Sequence, residues 1–147
     1  MDGYKNNKKI GFALVGTGWI APYHIDAINS NQDARLIGVF SNNKTRGKKF
    51  AQQNGIKHYE SYLNMLKDDE VDVVDIVTYN YLHADLAIKA INYDKHVIVE
   101  KPIDIDIKKA EILVKLANEK KRKLSCVSEF RFSKGITEFK TLIDKNI

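Results

Sequence analysis

One cysteine, two prolines, one tryptophan and no apolar run of membrane-spanning length mark out what this chain of 147 residues is not. The lone thiol, Cys126, cannot form an intrachain disulfide, which makes the cytoplasm the expected compartment. It sits in the apolar stretch 124–127 with no histidine or base close in sequence, so a buried, inert thiol is expected rather than a nucleophile. No segment approaches the ~20 apolar residues that cross a bilayer, which argues against a membrane partner. Lys5, Lys8 and Lys9 ahead of residues 10–21 imitate a signal peptide, yet no small-x-small cleavage site follows. His24, His58 and His96 lack metal-ligand spacing with acids or the cysteine, so no metal is expected. The formal charge of +5, from 24 basic and 19 acidic residues, is spread along the chain without a nucleic-acid motif, which argues against that class of partner. There is no internal repeat, low-complexity tract or linker.

What is present is ordinary in bulk and specific in place. Hydrophobic residues make up 44% and charged residues 29%, and a chain of this length buries roughly 68–70% of its extended surface. After a loose lead-in over residues 1–8, compact β-rich runs at 10–15, 34–40, 56–59, 71–78, 96–100 and 124–130 predict strands. Helices are predicted between them: about 20–29, with Ile20, His24, Ala27 and Ile28 on one side and Pro22 in its first turn; 44–54, ended by Gly55; and a short one over 62–66. Leu82, Leu86, Ala90 and Ile91 mark the buried stripe of the next helix, and Ile107, Ala110, Leu113, Val114 and Ala117 that of another. Ile136, Phe139, Ile143 and Ile147 share a last helical face. Strands alternating with helices, several strands without in/out alternation, predict an α/β fold: a doubly wound parallel sheet with helices on both faces. Residues 9–130 form the dinucleotide-binding unit on this reading, and 131–147 a crossover segment and terminal helix. The lysine-rich run 120–123 reads as cations at a helix C-terminus.

Four stretches carry chemistry. Gly16, Thr17, Gly18, Trp19 and Ile20, followed by Ala21, stand between the first strand and first helix. There, backbone N–H groups approach a pyrophosphate closely and the helix N-terminus favours its charge. The second strand ends in Phe40, Ser41, Asn42, Asn43, Lys44, Thr45 and Arg46, with no carboxylate to bond a ribose 2′-OH. Ser41 and Asn42 can donate to a 2′-phosphate and Lys44 or Arg46 can neutralise it, so NADP is favoured over NAD; the alternative is a solvated turn with its lysine outward. Thr78, Asn80 and His83 leave the strongest strand at the sheet edge where ligands bind, with helix capping as the alternative for Thr78 and Asn80. His83 is either bonded locally in a first helical turn or placed near the nicotinamide. Glu100, Lys101 and Pro102 end the fifth strand. The proline fixes the turn, in a form open to a cis bond, and so aims the lysine. Beside a cationic ring, a lysine more readily exchanges a proton with a substrate hydroxyl.

Three of these pieces resemble the glucose-fructose oxidoreductase / inositol 2-dehydrogenase / rhizopine-catabolism oxidoreductase family: residues 15–21 with His24, residues 73–78 with Asn80 and His83, and residues 95–102. Residues 130–132 look like that family's stretch at the domain crossover, and Tyr81-Leu82-His83 is similar to members acting on UDP-linked amino-sugar uronates. The resemblance spans about 9–145. It implies hydride transfer between NAD(P) and a ring carbon of a sugar, polyol or nucleotide sugar. Lys101 would contact the substrate hydroxyl and the nicotinamide ribose; Gly16, Gly18 and Ile20 would hold the pyrophosphate. Thr78, Asn80, His83 and Glu100 would lie along the cofactor, and Arg131 would touch substrate. Tyr79 stands where the family usually has proline, and Tyr93-Asp94 where it has glycine, with Asn92 or Asp94 able to adopt the left-handed form. The family's antiparallel-sheet substrate domain has no counterpart in these 147 residues. The exposed face of the last helix therefore predicts a homo-oligomer or a partner chain covering it. The rival function is a non-catalytic NAD(P)-binding or regulatory module.

Overall fold

In the computed structural model, which describes residues 8–146, six short strands line up side by side, all parallel, in the order β3-β2-β1-β4-β5-β6. The strands are β1 Ile10–Val15, β2 Ala34–Phe40, β3 Lys57–Tyr59, β4 Val73–Ile76, β5 His96–Val99 and β6 Leu124–Cys126. Between and after them run α1 Ala21–Ser30, α2 Lys44–Asn54, α3 Tyr62–Leu66, α4 His83–Asn92, α5 Ile107–Glu119 and α6 Lys134–Asp144. The expected lead-in, with Lys5, and Ile147 of the last helical face lie outside the described residues.

Right-handed crossovers put α1 and α2 on one face of the sheet and α3, α4 and α5 on the other. On the first face Leu14, Ile25, Ile28, Val39, Ala51 and Val77 form one apolar cluster. On the second, Ala13, Val15, Met65, Ile76, Ile91 and Leu113 belong to a larger one. Adjacent residues of β1 thus feed opposite cores, as a strand covered on both sides must. Ala84, Ala87 and Ala90 let α4 lie close against the sheet, all three fully buried. The winding direction reverses between β1 and β4, and the loops that follow those strands diverge there to leave a crevice at the carboxyl edge.

Several expectations need correcting. The strand expected over 71–78 is confined to β4, although Val71 and Val77 remain buried beside it. The strand expected over 124–130 stops at Cys126, because its single neighbour β5 has ended; the chain then enters a 3-10 turn over Glu129–Phe132. At this sheet edge Cys126 is exposed rather than buried. Partial burial and the negative charge of Glu100 nevertheless push its thiol above the ordinary range. In α1 the buried stripe is Ala21, Ile25 and Ile28, so Ala27 faces out and Ile25 is the residue the pattern missed. In α5 only Leu113 and Ala117 are buried, and Ile107 and Val114 point away from the sheet. Leu82 precedes α4 half-buried, and Leu86 is likewise only half-buried. Asp94 takes the left-handed conformation, φ 61°, after α4.

Candidate functional site

The turn after β1 is built around Gly16, whose φ of 119° is a conformation that side-chain-bearing residues rarely adopt. A methyl group there would come within 2.7 Å of the Val77 carbonyl oxygen, so this glycine also lets β1 and β4 leave the sheet in contact. Gly18 has only that same oxygen near, at 4.0 Å from where a Cβ would stand. α1 then starts at Ala21, with Pro22 in its first turn and no side chain capping its N-terminus. Within the helix itself Ala21 N–H donates to the Gly18 carbonyl at 3.2 Å, Pro22 has no N–H, and Tyr23 N–H donates to the Ile20 carbonyl at 3.1 Å; the amides open to an anion at the positive end of the helix dipole are those of the turn, residues 17–20.

The loop after β2 closes on this turn from one side. Asn43 caps α2 by accepting the Arg46 main-chain N–H at 2.9 Å. That places the Arg46 guanidinium to donate from Nε to Thr17 Oγ1, also at 2.9 Å. Ser41 is buried, its hydroxyl 3.4 Å from that of Thr17. Lys44 takes another course: its ammonium lies 3.6 Å from the Glu60 carboxylate, outside the crevice. Of these two cations, Arg46 lines the cleft and Lys44 does not.

From the other side come the loops after β4 and β5. Thr78 and Asn80 line the crevice, and Tyr79 and Tyr81 stack at its mouth with ring centroids 5.8 Å apart. His83 does not line it. The ring is wholly buried, with Nδ1 2.7 Å from the Pro102 carbonyl oxygen and Nε2 3.2 Å from that of Thr78. In this arrangement the ring does not reach the cleft. His83 instead ties the two loops together, while Asp104 caps α4 beside it by accepting the Ala84 N–H at 2.9 Å. The Lys101–Pro102 bond is cis. Lys101 is exposed to the crevice and Glu100 half-buried in its floor.

Together these loops enclose a cleft of about 1040 Å³. Of the residues singled out from sequence, Gly16, Thr17, Gly18, Trp19 and Ile20 line it, as do Ser41, Asn42 and Arg46 on one wall and Thr78, Asn80, Glu100 and Lys101 on the other. Lys44, His83 and Arg131 do not; Arg131 is exposed in the 3-10 turn, where Glu129 is the residue that reaches the cleft. Tyr62 lines the far end, its ring 5.7 Å from that of Phe40 and its hydroxyl donating to the Leu86 carbonyl at 2.8 Å.

Sequence reasoning missed a charged cluster under the floor. Asp75 is an acid inside the otherwise apolar β4, and it is almost fully buried. Its Oδ2 lies 2.8 Å from His24 Nδ1, and the other ring nitrogen of His24 lies 3.1 Å from Glu100 Oε1. Burial disfavours the charged imidazole, but Asp75 and then Glu100 outweigh it and raise His24 above its ordinary value. Burial pushes Asp75 upward, and His24 draws it back. An acid in a buried strand was the available signal. Its partner was not legible, because no local spacing joins the two.

Comparison with known proteins follows the geometry. The model of the family described as "Oxidoreductase family, NAD-binding Rossmann fold" matches residues 10–128. The chain is 29% identical to glucose-6-phosphate 3-dehydrogenase of Bacillus subtilis over 95% of its own length and 39% of that protein's. It is 33% identical to the B. subtilis scyllo-inositol 2-dehydrogenase (NADP(+)) IolU over 74% of its length and 33% of that protein's. Among solved structures, the WlbA dehydrogenase of Chromobacterium violaceum, in complex with NADH and UDP-GlcNAcA, superposes with a TM-score of 0.92 at 27% identity, covering 99% of this chain and 42% of that one. The chain spans about two fifths of the length of such relatives, from 33% to 42% in these three. Among the described residues no helix is long and apolar enough to cross a membrane.

Proposed function

This chain belongs to the oxidoreductase family with the NAD-binding Rossmann fold, and from that premise we propose that its cleft holds a nicotinamide dinucleotide beside Lys101 for the oxidation or reduction of a sugar, polyol or nucleotide-sugar hydroxyl. The observation that carries the reading is the meeting, in one cleft, of the glycine turn with its uncapped helix N-terminus and the side chain of Lys101. The residues fit the group. Gly16 and Gly18 leave room for a diphosphate at the first turn of α1, and Thr17, Trp19 and Ile20 offer main-chain contacts beside it. Thr78, Asn80 and Glu100 lie along the remaining wall. When bound, the nicotinamide supplies hydride acceptance and return. Lys101 holds or releases the proton of the substrate oxygen at Nζ, and its ammonium form stabilises negative charge developing there. A module that binds the dinucleotide without turnover has no specific observation in its favour.

NADP is favoured over NAD because no carboxylate follows β2 in the cleft wall, while Ser41, Asn42 and Arg46 line it. In a fluorescence titration with NADPH and NADH, Arg46→Gln should lower the ratio of the two affinities about tenfold, the worth of one charge-assisted hydrogen bond. An equal loss for both cofactors would show that Arg46 serves only to hold Thr17.

The terminal helix bears on assembly. Ile136, Phe139 and Ile143 fall on one face of α6, with Phe139 62% and Ile143 54% exposed. We assign this face to contact with a second copy or with a partner chain, since a patch of that kind is poorly tolerated in water. Light scattering should show species larger than a monomer for the chain alone, and Phe139→Asp should shift them toward the monomer. A monomer at high concentration without the substitution would refute self-association.

A further inference from the structure

The cluster beneath the cleft leads directly to Lys101. Glu100 uses its two carboxylate oxygens differently: Oε1 faces His24 Nε2 at 3.1 Å, and Oε2 accepts the Lys101 main-chain N–H at 2.9 Å. His24 in turn meets Asp75 through Nδ1 at 2.8 Å. Both ring nitrogens thus face carboxylate oxygens, and each makes its best hydrogen bond as a donor, which requires the imidazolium form. The three side chains are well shielded, 12% exposed for His24, 3% for Asp75 and 12% for Glu100, so water competes little for these contacts. They come from three separate elements, α1, β4 and the end of β5. Asp75 Oδ1 is buried and has no hydrogen-bond partner among the described residues, which leaves His24 as the principal counter-charge to that carboxylate.

We infer that His24 is a positioning residue for Lys101: strung between Asp75 and Glu100, it fixes the Glu100 carboxylate, which anchors the lysine's main chain at the rim of the cleft. The inference rests on the proposed function only in taking Lys101 as the group worth positioning. The tether also links the helix that begins at the glycine turn to the turn that carries the lysine. The two ends of the cleft thereby share one buried hydrogen-bonded frame.

The test needs no cofactor. Nuclear magnetic resonance of the chain, labelled with ¹⁵N, reads the Lys101 amide and the His24 ring directly. Near pH 7 both ring nitrogens should show the shifts of an imidazolium. In His24→Leu the Lys101 amide should exchange with solvent about tenfold faster, as a lost hydrogen bond to a charged group dictates, and its resonance should move, while β1 and β2 amides keep their protection. Should His24→Leu fail to fold, Asp75→Asn serves instead; it touches Glu100 and the Lys101 amide only through His24, so an unchanged amide there overturns the inference as well. An unchanged Lys101 amide in a folded variant overturns the inference, and so does a loss of protection spread evenly over the sheet. A separate titration with NAD and NADP distinguishes the two readings: failure of the intact chain to bind either one defeats the proposed function, while the amide alone decides the tether.

Discussion

Gly16→Val should fold yet fail to bind NAD or NADP at concentrations that saturate the unaltered chain. The residue has φ 119° and abuts the Val77 carbonyl oxygen, which a Cβ would approach to 2.7 Å. A β-branched side chain in that conformation costs about 1–3 kcal/mol in backbone strain. The contact with Val77 can be relieved only by moving the loops after β1 and β4 apart. Thermal unfolding should register the strain as a fall of about 2–4 °C for each kcal/mol. Gly18→Ala provides the contrast. At that position the nearest neighbour is 4.0 Å from a Cβ, so the fold should be unaltered while the added methyl crowds whatever lies over the turn. Weaker binding by Gly18→Ala without a change in Tm locates the diphosphate there. Full binding by both variants would reduce the glycine turn to a structural corner.

Lys101→Met should lower kcat by about 10²–10⁴-fold, the range supplied by one positioned acid–base group, while leaving cofactor affinity within a few-fold. The measurement is steady-state turnover of inositol, simple sugars and UDP-sugars, made on the protein at the length that sustains turnover. Lys101→Arg should not rescue it, because a guanidinium keeps its proton at any working pH. If kcat falls only a few-fold in both variants, proton transfer lies with another group and Lys101 only binds.

Legibility in the sequence followed locality. α2 and α3 could be bounded to the residue because each is a short contiguous run, the first closed by Gly55, which adopts φ 64°; the cap that opens α3, Ser61, is a feature the structure adds. The parallel sheet was legible because buried strands read as unbroken apolar runs. The glycine turn, the polar end of β2 and Glu100-Lys101-Pro102 were likewise local, and the structure gathers them at one cleft. What failed was whatever depends on a partner distant along the chain. His24 meets Asp75 and Glu100 across 51 and 76 residues. Helix stripes erred where a second apolar face exists: among the described residues Ile107 remains 75% exposed. Cys126 erred because an apolar neighbourhood in sequence does not reveal that β6 is an edge strand. Lys44 and Arg46 are equally basic on paper; Lys44 lies 3.6 Å from Glu60 outside the cleft, while Arg46 reaches Thr17 Oγ1 at 2.9 Å, both partners being distant along the chain.

The buried ring of His83 has a mechanical meaning. Its two ring nitrogens lie 2.7 Å from the Pro102 carbonyl oxygen and 3.2 Å from that of Thr78, so the segment carrying the two stacked tyrosines and the segment carrying Lys101 meet on one buried ring. Both of these segments of the groove wall thus rest on one side chain that neither of them exposes.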